Sequence, residues 1–206
     1  MGVETGCWFE NQKEIDNKIQ NISTDGTTFT GDVTGDITGD VIATVLAAEH
    51  GAGAISTAFA PKTTRRTENG TIIKEIKFSM LNLKSAQVTN DIIGLAAGVS
   101  YIGRYVVATD GIIYKTELIC LELPTVGDDD VNVVELASDA LIFEGNGGTD
   151  YVVNGDVAAK GQVIENLTPA LTANEYWYLT AGAGDTAGTY GAGMFILRTY
   201  GHAALA

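Results

Sequence analysis

Residues 30–41 read Thr-Gly-Asp-Val, Thr-Gly-Asp-Ile, Thr-Gly-Asp-Val, one four-residue unit repeated three times. In an extended chain, successive side chains point to opposite faces. Gly31, Val33, Gly35, Ile37, Gly39 and Val41 therefore share one side, and Asp32, Thr34, Asp36, Thr38 and Asp40 share the other. The first side lacks a side chain at every second position, so a solitary strand of this kind buries little. It becomes stable when other backbones approach the glycines and interlock with the valines. The six residues of that side are expected to form an oligomer interface, which is the task of a building block rather than of a catalyst.

The 206-residue chain has room for one domain with an extended arm, or for two small domains. Its formal net charge is −14, from 12 Lys and Arg against 26 Asp and Glu. Such a surface repels nucleic acid and anionic membranes, so neither is expected as a partner. No run of about 18 apolar residues provides a transmembrane helix. The first residues do not follow the basic-then-apolar order of a signal peptide. Glycine is abundant, at 25 residues, but has no three-residue period, which excludes a collagen helix. Instead the glycines punctuate short β-branched runs, the pattern of an all-β protein.

Three segments follow along the chain. Residues 1–28 hold a short amphipathic helix and a polar turn. Trp8, Ile15, Ile19 and Ile22 lie at heptad positions, which suits either a surface helix or a small self-associating one. Residues 29–60 form an extended β arm and a Gly/Ala-rich linker. Residues 61–206 form a β-sandwich or jelly-roll body, with strands expected over 71–79, 101–109, 111–123, 131–136, 151–153, 162–167, 176–179 and 194–200. Asn69-Gly70 signals a turn before the first of these. Asp110-Gly111 is expected to close a hairpin, residues 127–130 to form a surface turn, and residues 90–98 to form the one weak helix of the body. Cys120, inside a strand-like run, reads as a buried thiol.

Catalytic constellations are not evident. The two histidines, His50 and His202, fall in the linker and near the last residue, far from any paired nucleophile. The cysteines and histidines are too few and too scattered for a zinc site, and neither the repeat nor Asp128-Asp129-Asp130 has the calcium-loop spacing. No phosphate-loop string occurs. Catalytic, cofactor-binding and metal-ligating residues are therefore expected to be absent. One charge contrast stands out: Lys62, Arg65, Arg66, Lys74 and Lys77 supply five of the twelve basic residues. They suit a basic sheet edge that discourages pairing, or a docking patch for an acidic partner, with Arg65 and Arg66 as the strongest anchors.

The order of residues 30–41, then Gly51-Ala-Gly-Ala-Ile-Ser-Thr-Ala-Phe-Ala-Pro-Lys-Thr-Thr-Arg-Arg onward to Ile76, then Leu171-Thr-Ala-Asn-Glu-Tyr-Trp-Tyr-Leu179, resembles small virion structural proteins of tailed bacteriophages of marine type. The likeness runs from about residue 29 onward. It implies a homotrimeric capsid decoration (cement) protein on the outer surface of the virion. The major capsid protein would be its partner, docked through Lys62, Arg65 and Arg66. The alternative it implies is a receptor- or glycan-binding tail-fibre or tailspike component. In that role Tyr151, Tyr176, Trp177, Tyr178 and Tyr190 would offer sugar-stacking surfaces.

Overall fold

The computed structural model describes residues 49–56, 59–86, 88–155, 159–183 and 186–203. These belong to the second of two compact units, Val45–Ala206. The expected helix over 8–22 and the repeat with Gly31, Val33, Gly35, Ile37, Gly39 and Val41 lie outside the described residues.

Within them the protein is all-β and sandwich-like. In chain order the strands are β1 (Lys62–Glu68), β2 (Thr71–Ser79), β3 (Lys84–Ser85), β4 (Tyr101–Arg104), β5 (Ile112–Thr125), β6 (Val131–Leu136), β7 (Tyr151–Val153), β8 (Val163–Asn166), β9 (Tyr176–Ala181), β10 (Gly188–Thr189) and β11 (Ala192–His202), with one helical turn, α1 (Val107–Asp110), before β5. A five-stranded sheet runs β1-β2-β11-β5-β8 and a four-stranded sheet runs β4-β9-β6-β7, with the small pair β3-β10 beside them. The strand pairings are antiparallel.

The core lies between the two larger sheets. Ile76 and Phe78 of β2, Leu118 and Cys120 of β5, and Phe195 and Leu197 of β11 face Ile102, Val131, Val133, Val153, Trp177 and Leu179 of the other sheet. Alternation produces this: Ile76 and Phe78 of β2 and Phe195 and Leu197 of β11 are buried at every second position, while Glu75, Lys77 and Arg198 between them lie on the other face. Phe78 and Phe195 stack with ring centroids 5.6 Å apart, a contact worth about 1 kcal/mol beyond its burial. Thr116 Oγ1 also ties the sheets, donating to the Val152 carbonyl at 2.6 Å.

The Asn69-Gly70 turn closes the β1–β2 hairpin, with both residues at positive φ (48° and 81°) and Glu68 opposite Thr71. The expected Asp110-Gly111 hairpin does not form. β4 belongs to the four-stranded sheet and β5 to the five-stranded one, so residues 105–111 cross between layers through α1. Gly111 sits at φ +68°, and a Cβ there would lie 2.3 Å from the His202 carbonyl oxygen.

Residues 90–98 are not helical. Ile92 and Ile93 are buried, Ile92 bonded to Glu144 and Gly145 and Ile93 to Leu179 of β9; Asn90 and Gly98 take positive φ, and Gly94 bridges to Lys84. Paired β-branched residues between such breakers favour extended chain. The linker is not loose either: Gly51 and Gly53 donate to the Tyr101 and Val99 carbonyls, placing residues 49–56 on the body. His202 ends β11 between Thr71 and Ile112, rather than lying in a free tail.

Gly201 tests the close packing at this end. A Cβ there would sit 2.1 Å from the Asp110 carbonyl oxygen. Gly201→Ala is expected to cost about 1–3 kcal/mol, read as a lower denaturant midpoint with an unchanged slope.

Candidate functional site

The inner face of β2 carries one charged residue, Lys74, and its position organises the sandwich interior. Lys74 and Asp110 are each only 1% exposed. Lys74 Nζ donates to Asp110 Oδ2 at 2.8 Å and to the Arg104 carbonyl, and it lies 4.5 Å from the centroid of the Trp177 ring. Asp110 is also held by Arg65 Nε at 2.8 Å, by the Val106 amide at 3.0 Å and by Thr109 Oγ1 at 3.3 Å. Arg65 reaches on to Glu49 at 2.8 Å. Two cations and two carboxylates thus compensate one another. Burial alone would raise the Asp110 carboxyl, but Lys74, Arg65 and the Val106 amide hold it below the ordinary carboxylate value. Burial pulls the Lys74 ammonium down, and Asp110 offsets only part of that.

The outer face of the same sheet carries a second network. Thr64, Glu75, Arg198, Glu117 and Glu165 form one row across its five strands. Arg66 reaches Glu75 at 3.3 Å; Arg198 joins Glu75 at 2.6 Å to Glu117 at 3.3 Å; Lys115 joins Glu117 at 2.7 Å to Glu165 at 2.5 Å. Tyr200 Oη donates to Glu117 at 2.9 Å. Burial would raise Glu75 and Glu117, but Arg198 and Lys115 respectively bring them below the ordinary value.

The neighbouring row is different. Lys62 lies directly opposite Lys77, and both ammonium groups lie near the Phe59 ring, at 5.3 and 5.7 Å from its centroid. Like charges facing each other across strands are unfavourable; the aromatic face eases the cost. Among the described residues neither lysine has a carboxylate within salt-bridge distance.

These placements revise the expected docking patch. Lys74 is interior, so it cannot meet a partner. Arg65 is exposed, but its guanidinium is held by Asp110 and Glu49. Arg66 is exposed, on Glu68 at 2.6 Å, and Lys62 is exposed and, among the described residues, unpaired by carboxylate. Of the aromatic residues considered for sugar stacking, Trp177, Tyr178 and Tyr190 are 0% exposed and pack in the interior. Only Tyr151 and Tyr176 are half-buried, and Arg104 stacks on Tyr176 at 5.2 Å.

Two buried carboxyls were not distinguished by sequence. Asp128, in the expected surface turn, is fully buried; its Oδ1 accepts the Asp130 amide at 2.9 Å, and burial raises it. Glu135 is 2% exposed. Its Oε1 accepts the Thr172 amide at 2.5 Å, while Trp177 Nε1 lies near enough to favour the ionised carboxylate without forming a full hydrogen bond. Burial, reinforced by Glu175, pushes Glu135 up to about 7. A cleft of about 340 Å3 is lined by Ser85, Ala86, Val88, Asp91, Glu144 and Ala187. Burial and Glu144 raise Asp91 there. Among the described residues no group of three or more His, Cys, Asp or Glu is placed to hold a metal ion. No protein-family model, curated protein sequence or solved structure matches the chain.

Two outcomes follow. Lys74→Met leaves buried Asp110 without one of its two cations and is expected to cost about 3 kcal/mol or more. Lys74→Met combined with Asp110→Leu should cost less than the sum of the two single changes, measured by denaturant unfolding in a double-mutant cycle. For Glu135 the folded-state value is raised, so its contribution favours the folded state below the unfolded value of about 4.5. That contribution is lost as pH rises through about 7. Glu135→Gln is therefore expected to be more stable than the parent above neutrality, by up to about 3 kcal/mol, with the difference closing toward pH 5 in thermal melts.

Proposed function

We propose that the chain is a non-enzymatic virion structural protein, a trimeric decoration protein that binds the outer shell of a tailed bacteriophage. The observation that carries this reading is the joining, in one chain, of the Thr-Gly-Asp strand pattern to a rigid all-β head. The pattern suits subunit association. The head, read as a jelly roll, suits a projecting body. Its net charge of −14 suits the outside of a particle better than a surface lining packaged DNA. Three modest contacts joined in one trimer bind tightly through effective concentration.

Docking to the major capsid protein then falls to Lys62 and Arg66, with Lys77 beside them, because Arg65 is held by Asp110 and Glu49. The tail-fibre reading loses its main support with the burial of Trp177, Tyr178 and Tyr190. Copy number per particle decides between the two. Quantitative mass spectrometry of purified virions is expected to give copies in the hundreds, in register with the shell lattice. About a dozen copies or fewer would overturn the decoration reading in favour of the tail.

A further inference from the structure

We propose that the outer edge of β1, unpaired among the described strands, receives residues 30–41 of a second copy of this chain as an added β-strand. This rests on the reading of the protein as a self-assembling module, and it gives Lys62 and Arg66 to a second copy in place of the shell, leaving Lys77 for shell docking.

The edge itself is the first ground. Among the described strands β1 is outermost in the five-stranded sheet, seven residues long and exposed over most of its length. The other outer strands of the two large sheets, β8, β4 and β7, have four, four and three residues. A long open edge is a template for another backbone. Charge is the second ground. Lys62, Thr64, Arg66 and Glu68 alternate along the outer face of β1, in the same register positions as Lys77, Glu75, Ile73 and Thr71 of β2. Lys62 has no carboxylate near it among the described residues, and Arg66, 44% exposed, is held by exposed Glu68 and by Glu75.

Matching periods are the third ground. Lys62 and Arg66 are four residues apart, as are Asp32, Asp36 and Asp40, a spacing of about 13 Å in a strand. With Asp36 opposite Lys62 in an antiparallel pairing, Thr34 meets Thr64, Asp32 meets Arg66 and Thr30 meets Glu68. On the inner side Gly35 and Gly31 meet Thr63 and Thr67, and Val33 meets Arg65. A slip of two residues would set aspartates against Thr64 and Glu68, and a slip of one would set Gly35 or Ile37 against Lys62. The same chemistry recurs at each four-residue step, so the repeat offers more than one equivalent seat.

The competing role for these cations is that of edge guards, which keep other strands away. The two roles predict opposite responses. The full chain is examined by sedimentation velocity, with circular dichroism confirming the head, for the parent, for Lys62→Glu/Arg66→Glu, for Asp32→Lys/Asp36→Lys/Asp40→Lys, and for the combination of all five changes. The parent is expected to assemble, each charge-reversed set to weaken assembly at least tenfold, and the combination to restore it. A monomeric parent, unchanged or stronger assembly of Lys62→Glu/Arg66→Glu, or no restoration in the combination would overturn the proposal. Co-sedimentation with empty shells is scored separately. Shell binding by a chain that fails these tests would sink strand addition and leave the decoration reading standing. Normal assembly and restoration without shell binding would do the reverse.

Discussion

The Lys74–Asp110 pair is the constraint on which the head depends. It lies where the two sheets and their connection meet. Lys74 comes from β2, Asp110 from the crossing turn, the Arg104 carbonyl from β4 and the Trp177 ring from β9. Desolvating an ammonium and a carboxylate is unfavourable, and their attraction offsets it only when every remaining donor and acceptor is satisfied. Here Arg65, Val106, Thr109 and the Arg104 carbonyl do so. The geometry therefore specifies one arrangement of the crossing segment. A displaced Asp110 would leave a charged lysine stranded inside the sandwich.

The outer face of the same sheet uses its charges differently. Arg66, Glu75, Arg198, Glu117, Lys115 and Glu165 neutralise one another in sequence across the strands. Exposed pairs of this kind contribute little individually. Their main effect is to consume cations. Arg65, Arg66, Lys74, Lys115 and Arg198 are all engaged with carboxylates. Among the described cations without such a partner, Lys62 and Lys77 are distinctive because they face each other across neighbouring strands.

The strands were largely legible in the sequence, because alternation in β2 and β11 and the Asn69-Gly70 turn act locally. Connections were less legible. Nothing within residues 101–123 says that the chain changes sheets at Asp110; that choice is made by Lys74, 36 positions away. The same distance problem hides the interior role of Lys74 and the bond from Arg65 to buried Asp110. In the linear chain they look like members of a surface patch, since burial of a charge depends on a partner that only folding brings near. β1 reads as polar throughout, and its strand character comes from pairing with β2 rather than from its own composition. Cys120 was legible as buried because its neighbours are apolar on both sides.

The order of strands in the larger sheet has a consequence for how the head is made. β11 is its middle strand, hydrogen-bonded to β2 on one side and β5 on the other, yet it follows the other ten strands along the chain. A nascent polypeptide thus holds β2 and β5 with their facing edges open until β11 arrives between them. Such non-local closure is slow and leaves sticky edges exposed during synthesis. The head completes late and as a unit, so a ribosome-bound intermediate lacking β11 would depend on chaperones to keep its unpaired edges from meeting those of a neighbour.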